Sequence, residues 1–297
     1  MSQPALLAIY CASIVFASLL GGCLPLLFRL THVGLQIAMS FVGGAMLGVG
    51  LLNMLPHANE ACHHDPYVPA ICLLCGFLVM FFVERVFHFH HHDAPVDAEG
   101  ACDHDDHEHP PHHHHHDHSH GQPQRLTWGA ALAGLVLHSA LDGIALAASV
   151  QAESESGATW AGWVVFAAIC LHTPFDSLTL GTLMAVAGRS AALRHAVNAL
   201  YALAVPLGAI FFSLVANKTA GGEWSLTGAM LAFSAGTFLY IATSDLLPEL
   251  QFHSHDGWKL SLALLAGIAL AGVGAYFDHA GHSHHDTHSE NEHHHLE

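Results

Sequence analysis

The chain has 297 residues, of which 52% are hydrophobic and only 10% are charged. Soluble domains average about 25% charged residues, so this composition excludes an ordinary soluble domain and indicates a membrane protein. The formal net charge is −17, and the seven Lys and Arg provide no basic patch for nucleic acid, whereas the 31 His among the acidic residues favour cations as partners.

Eight apolar segments of the chain are long enough to cross a bilayer as helices. The first lacks a basic n-region and a cleavage site, so we expect it to be retained as a membrane span. The sequence therefore predicts an all-α membrane protein with eight transmembrane helices. The predicted spans are residues 5–28, 33–56, 67–88, 126–150, 157–187, 191–216, 225–247 and 259–277.

Two segments rich in His and acidic residues lie outside these spans and have no apolar residues from which to build a core. Such compositions are typical of disorder. We expect the first of these segments, the loop at 89–125, to buffer, sense or deliver metal. The alternative is that it only keeps the protein soluble. The predicted domains are helices 1–3 in residues 1–88, a cytoplasmic loop at 89–125, helices 4–8 in residues 126–277 and an external tail at 278–297.

The distribution of Lys and Arg predicts the orientation, because these residues are retained on the cytoplasmic side of a membrane. Six of the seven fall on one side of the predicted map, and only Lys218 falls on the other. We therefore expect a multi-pass protein of the cell membrane, by analogy a bacterial inner membrane, with both termini external. The six cytoplasmic residues are Arg29, Arg85, Arg125, Arg189, Arg194 and Lys259.

The second and seventh spans carry related sequences. Residues 41–57 and 233–249 align without gaps and share five identical positions. Because one span runs outward and the other inward, they indicate an inverted repeat, a plan common among secondary transporters; chance likeness is the alternative. Helices 1–3 and 6–8 would then form two halves around helices 4 and 5. The identical pairs are Phe41/Phe233, Gly44/Gly236, Leu47/Leu239, Leu55/Leu247 and Pro56/Pro248.

Two His–Asp pairs lie in the middle of the fourth and fifth spans. His138 and Asp142 are four residues apart, as are His172 and Asp176, so each pair projects from one face of a helix. Ionisable side chains at bilayer depth are costly and indicate function. Neutral imidazole and carboxylate are ligands for Zn, Fe and Mn, and a set of four matches tetrahedral Zn. The alternative is that each pair hydrogen-bonds within itself and only holds helices together.

These motifs resemble those of the ZIP family of zinc- and iron-regulated metal transporters. His138-Ser-Ala-Leu-Asp142-Gly is similar to the family's His-x-x-x-(Glu/Asp)-Gly in span four, and residues 172–176 are similar to its His-x-x-Pro-Glu-Gly in span five. Eight spans, external termini and a His-rich loop between spans three and four also match. The resemblance implies import of divalent metal into the cytoplasm, with ligands from spans four and five.

Three features depart from the family pattern. Pro174 lies one position earlier than in the family motif, and Ser177 stands where its Gly would be. Asp142 and Asp176 are each one methylene shorter than the common Glu. We expect the shorter side chains to change the size of the pocket.

Further polar residues are candidates for the ion pathway. Ser139 and Thr173 stand where family members with a two-metal centre place additional ligands, so we expect one midplane site and a second that is weak or absent. Asn53 and Asp245 are related by the repeat, and either line the path or hold helices together. A His- and acid-rich cluster at 57–65 predicts an outer capture site, with a solvated loop as the alternative. The candidate pathway residues are Asn53, His57, Ser139, Thr173, Asp245 and Glu249.

The sequence thus predicts an alternating-access transporter of zinc, or of iron, manganese or cadmium, with no resident cofactor. Metal ions and the lipid bilayer are the expected partners, and a homodimer is left open. The rival within transport is an exporter of the cation-diffusion type, which usually has six spans and cytoplasmic termini. The rivals among enzymes are a membrane di-iron enzyme, which needs His at the membrane surface, and an intramembrane metalloprotease, whose His-Glu-x-x-His motif is absent.

Overall fold

The computed structural model describes residues 2–27, 31–63, 65–87, 128–219, 225–252 and 257–292, so the predicted loop 89–125 lies outside the described part. Helices account for nearly all of these residues. They are α1 (Gln3–Leu27), α2 (His32–Val49), a π-helical segment (Gly50–Met54), α3 (Leu55–Ala61), α4 (Tyr67–Phe87), α5 (Trp128–Glu155), α6 (Trp163–Val186), α7 (Ala191–Tyr201), α8 (Ala204–Thr219), α9 (Leu226–Phe252) and α10 (Gly257–Glu292).

Within the described residues, eight segments are long and apolar enough to span a membrane, which confirms the predicted number. The second consists of α2, the π-helical segment and α3, and the sixth consists of α7 and α8. Large apolar side chains such as Phe16, Ile71 and Leu207 are exposed on the outside of the bundle. An apolar exterior is expected where helices contact lipid rather than water, so the chain is a multi-pass membrane protein.

The ends of several helices differ from the predicted boundaries. Helix α5 continues to Glu155 rather than ending at residue 150, and the second span continues to Ala61 rather than 56. Helix α10 continues to Glu292, whereas its composition predicted a disordered tail from 278. Polar residues end a membrane span without ending a helix, because an existing helix is extended at little cost.

A π-helical segment interrupts the second span. The backbone N–H of Leu55 donates to the carbonyl of Gly50, five residues earlier, instead of four. Pro56 follows immediately, and proline has no N–H with which to continue the regular ladder. The wider turn changes the direction of the side chains around it, including those of Asn53 and His57.

The helices pack in four close pairs that obey the predicted inverted repeat. The repeat relates spans 1–3 to spans 6–8, and span 4 to span 5. It therefore converts the pair α1·α6 (spans 1 and 5) into α8·α5 (spans 6 and 4), and the pair α2·α10 (spans 2 and 8) into α9·α4 (spans 7 and 3). Because all four pairs are present, the two halves of the sequence occupy related positions in the structure. The likeness between the second and seventh spans therefore reflects the fold.

Close backbone approaches within these pairs repeat at matching positions. A Cβ on Gly44 would overlap a carbonyl oxygen of α10, and one on its repeat partner Gly236 would overlap a carbonyl oxygen of α4. The partner helices supply glycines in return, which would overlap the backbone of Phe41 and Phe233, another matched pair. Small residues at such crossings are what allow membrane helices to pack closely. The four overlaps are Gly44 with Leu264, Gly236 with Leu73, Gly267 with Phe41 and Gly76 with Phe233.

Candidate metal site

The four predicted ligands on α5 and α6 converge on one point in the middle of the bundle. Nε2 of His172 lies 3.1 Å from Oδ2 of Asp142, and Nε2 of His138 lies 3.4 Å from the same oxygen. Oδ2 of Asp176 lies 3.7 Å from Nε2 of His138 and 3.9 Å from Nε2 of His172. His138, Asp142 and His172 are buried and could hold one metal ion between them. Asp176 is the most exposed of the four, at 21%.

The hydrogen bonds of the two imidazoles differ. Nδ1 of His172 lies 2.9 Å from the carbonyl oxygen of Ala168, which can only accept, so Nδ1 carries the proton. The lone pair of the neutral ring is then on Nε2, which faces the centre. Such a backbone partner fixes the tautomer of metal-binding histidines. Nδ1 of His138 and Oδ1 of Asp142 are buried and have no hydrogen-bond partner.

Tyr201, at the end of α7, completes the surroundings of the site. Its hydroxyl donates to Oδ2 of Asp176 over 3.4 Å and lies 2.6 Å from Oγ of Ser139. Because the tyrosine donates to the carboxylate, the serine hydroxyl donates to the tyrosine oxygen. Tyr201 is fully buried, and no motif in the sequence indicated it.

The hydroxyls at the two positions predicted for additional ligands, Ser139 and Thr173, both form hydrogen bonds with other groups of the protein. Ser139 is engaged with Tyr201. The hydroxyl of Thr173 donates to the carbonyl of Ile169 in its own helix, over 2.6 Å. Both hydroxyls therefore already have hydrogen-bond partners, and whether a second metal binds beside the first stays a prediction.

Pro174 and Ser177, the two departures in the second motif, both contact α1. A Cβ on Gly21 would overlap the carbonyl oxygen of Pro174. The buried hydroxyl of Ser177 lies 2.8 Å from that of Ser18. At the repeat-related crossing of α5 and α8, Gly208 meets the backbone of Ala140 just as Gly21 meets that of Pro174. The position of Ser177 is taken there by Gly143, which meets the backbone of Val205, so a hydrogen bond at Ser177 replaces the close approach of a glycine.

A cavity of about 50 Å³ borders the site and extends from it towards one end of the bundle. It lies between His172 and Asp176 on one side and α2 on the other, and includes Met39 and Thr179. Helix α2 begins and α6 ends at this end, which also carries the described Lys and Arg of the predicted cytoplasmic side, and which we call the basic end. The lining residues are Met39, Val42, Gly43, Met46, His172, Phe175, Asp176, Thr179 and Ile241.

Towards the opposite end, where α1 begins, buried apolar side chains lie beyond the site. We call this the terminal end. Leu146 lies one helical turn beyond Asp142, and Met54 lies beyond the level of the cavity residues of α2; both are fully buried. The ring of Phe238 lies 6.2 Å from that of His172. The cavity thus lies on the side of the basic end, and buried apolar side chains lie on the side of the terminal end.

The candidate pathway residues Asn53 and His57 do not reach this site. They lie nearer the terminal end, where both contact Asp278, and Glu153 lies beside them. Of the predicted capture cluster, His63 and Asp65 are exposed, and residue 64 lies outside the described part. The side chains of Asp245 and Glu249 also lie outside it, so their predicted roles stay predictions. The sequence predicts Glu153 in the loop between spans four and five and Asp278 in the external tail, whereas the structure places them in α5 and α10.

Known proteins resemble this chain over most of its length. The family model described as ZIP Zinc transporter matches residues 5–275. Zinc transporter ZIP9-B of Xenopus laevis is 30% identical over 220 residues, which cover 72% of this chain and 62% of the relative. Zinc transporter zipt-7.1 of Caenorhabditis briggsae is 28% identical over 281 residues, 82% of this chain and 70% of the relative. The chain therefore spans less than two thirds of the Xenopus relative's length.

Proposed function

Since the chain belongs to the ZIP zinc transporter family, we propose that it carries a divalent metal ion across a membrane, with zinc as the first candidate. The observation that supports this most directly is the convergence of two imidazoles and two carboxylates in the middle of the bundle. The same ligand types bind iron and manganese. The ion is the substrate, and family members are transporters, so the enzyme alternatives are set aside.

Each ligand has a distinct part in the proposed site. Asp142 is central, because its Oδ2 lies closest to both imidazoles. His172 is presented in the correct tautomer by Ala168. Asp176 faces the cavity, so we assign it to the exchange of the ion between the site and water.

The proposed direction follows from the cavity and from the predicted orientation. The cavity extends from the site towards the basic end, which the distribution of Lys and Arg predicts to be cytoplasmic. On this proposal the structure corresponds to the state that releases the ion inward. In the alternating state, the apolar side chains of Leu146 and Met54 move apart and the cavity closes, so the ion enters from outside.

Uptake of radioactive zinc into proteoliposomes tests the proposal. We compare the natural sequence with Asp142→Ala, with the matched control Glu155→Ala and with a deletion of residues 93–121. Glu155 is an exposed acidic residue on the same helix. We expect Asp142→Ala to reduce uptake to the level of empty liposomes, while the control and the deletion retain it.

The opposite pattern would refute the proposal. If Asp142→Ala transports zinc normally and the deletion abolishes uptake, the His–Asp pairs only hold the helices together and the His-rich loop carries the function. Size-exclusion chromatography of each purified variant separates a loss of transport from a loss of folding.

A further inference from the structure

A second group of buried ionisable side chains lies at the terminal end, and we call it the terminal cluster. It consists of His57 on α3, Glu153 on α5 and Asp278 on α10. One ligand atom from each lies within 4.8 Å of the others, and all three residues are buried. Three separate helices therefore deliver one imidazole and two carboxylates to the same point.

The charges of the terminal cluster are not balanced by the protein. Among the described residues, no Lys or Arg forms an ion pair with Glu153 or Asp278, and His57 is the only group that can carry a positive charge beside them. Two ionised carboxylates in a buried site are costly unless cations accompany them. A divalent cation would balance both carboxylates while the imidazole stays neutral.

The hydrogen bonds around the cluster orient its ligand atoms. Nε2 of His57 donates to Oδ2 of Asp278 over 2.9 Å, because a carboxylate can only accept. A metal ion held between these two atoms would displace that proton, and the neutral ring would then carry its proton on Nδ1, which lies 3.6 Å from a carboxylate oxygen of Glu60. Glu153 accepts hydrogen bonds from Ser149 and from the backbone N–H of Gly162. Partners of this kind hold metal ligands in position.

Asn53 supplies an independent indication of a ligand. Its Nδ2 donates to Oδ2 of Asp278 over 3.0 Å, and its Oδ1 is fully buried and has no partner. A buried polar atom without a partner is rare in a folded protein and costs free energy. A half-turn of the amide would present this oxygen to an ion bound beside Asp278.

We propose that the terminal cluster is a second binding site for a divalent metal ion, held by His57, Glu153 and Asp278 with the amide oxygen of Asn53 as the fourth donor. One nitrogen and three oxygens suit Zn²⁺, Mn²⁺ or Fe²⁺ better than soft ions. Glu153 is eleven residues from Asp142 on α5, which corresponds to about 16 Å along the helix. The two sites are therefore separate.

The site differs from the capture cluster expected at residues 57–65, of which it retains only His57. Metal binding here is independent of the proposed transport. The part that this site plays in transport does rest on the proposed function: if the protein imports the ion, the terminal cluster is the place where the ion loses water before it reaches the midplane site.

Equilibrium binding of zinc to the purified full-length protein, in competition with a chromophoric chelator, tests the proposal. Glu153→Gln is compared with the control Glu155→Gln, first in the natural sequence and then in a His138→Ala/His172→Ala background. The His-rich loop and tail are present in every variant, so their contribution cancels. We expect Glu153→Gln to bind one zinc equivalent fewer than the control in both backgrounds.

The two proposals fail in different ways. If the midplane site does not bind metal, the double His variant loses no equivalent, yet Glu153→Gln still loses one. If Glu153→Gln binds as many equivalents as Glu155→Gln in both backgrounds, the terminal cluster is a proton-sharing structural network and the inference is wrong. Should Glu153→Gln fail to fold, Asp278→Asn replaces it, with the same expected loss and the same refuting result.

Discussion

Replacing Tyr201 with Phe tests whether the midplane carboxylate is held by the chain Ser139–Tyr201–Asp176. The substitution keeps the ring, which is fully buried, and removes only the hydroxyl that donates to Asp176. Hydrogen bonds to charged groups contribute about 1.5–3 kcal/mol, and partners of metal ligands change affinity by about 10–100-fold. Because the donor–acceptor distance is long, at 3.4 Å, we take the lower limit. We expect zinc to bind about tenfold more weakly.

The same substitution leaves the hydroxyl of Ser139 without its partner, so it also costs stability. An unsatisfied buried hydroxyl costs about 1–3 kcal/mol. Adding Ser139→Ala removes that hydroxyl, so the double variant should recover thermal stability without recovering zinc affinity. A structural role alone would restore both together.

The assay is zinc uptake by proteoliposomes over a range of zinc concentrations, with thermal unfolding of the same preparations. Tyr276→Phe, at a residue that is 70% exposed, is the control. We expect the apparent zinc affinity to fall in Tyr201→Phe and in the double variant but not in the control. An affinity within twofold of the natural protein in Tyr201→Phe would refute the reasoning.

Four further predictions follow from the packing and the chemistry. Ser18→Ala should lower the unfolding temperature, because it leaves the hydroxyl of Ser177 without a partner at a cost of about 1–3 kcal/mol. A Ser18→Ala/Ser177→Ala variant should recover most of the lost unfolding temperature, and an equal decrease in both variants would contradict the hydrogen bond. Gly236→Ala overlaps backbone and should destabilise by about 1–3 kcal/mol, whereas Gly181→Ala has open space and should be neutral or stabilising in the same melt. Zinc uptake should decrease steadily as the external pH is lowered from 8 to 5.5, because imidazoles bind metal only when neutral; an acidic optimum would count against this ligand set. Partial burial, together with the nearby Cys72 and Asp65, raises the pKa of Cys62, so less of its thiolate exists at neutral pH. Alkylation of Cys62, followed by mass spectrometry, should therefore be slow at pH 7 and still accelerate above pH 8.5.

The four side chains that converge between α5 and α6 could be singled out from the sequence because their signal is local. His138 and Asp142 share a helix at a spacing of four, as do His172 and Asp176, and polar residues inside an apolar span are conspicuous. Only the meeting of the two helices had to be assumed.

The other polar contacts depend on residues distant in sequence. Tyr201 meets Asp176 across two helices, and Asp278 meets His57 over a separation of 221 residues. The end of the apolar run predicts a loop at Glu153, whereas the helix continues to Glu155. Periodicity indicates which residues share a helix face, but it does not indicate which faces meet.

The reciprocal helix pairs also divide the bundle into two units. Backbones are in close contact within α1·α6 and α5·α8, and likewise within α2·α10 and α4·α9. All four side chains of the candidate metal site belong to the first two pairs, which would move together in the proposed alternating access. The terminal cluster is different, because Glu153 belongs to α5 whereas Asp278 belongs to α10. It straddles the boundary between the two units, and any displacement of one past the other must pull its carboxylates apart.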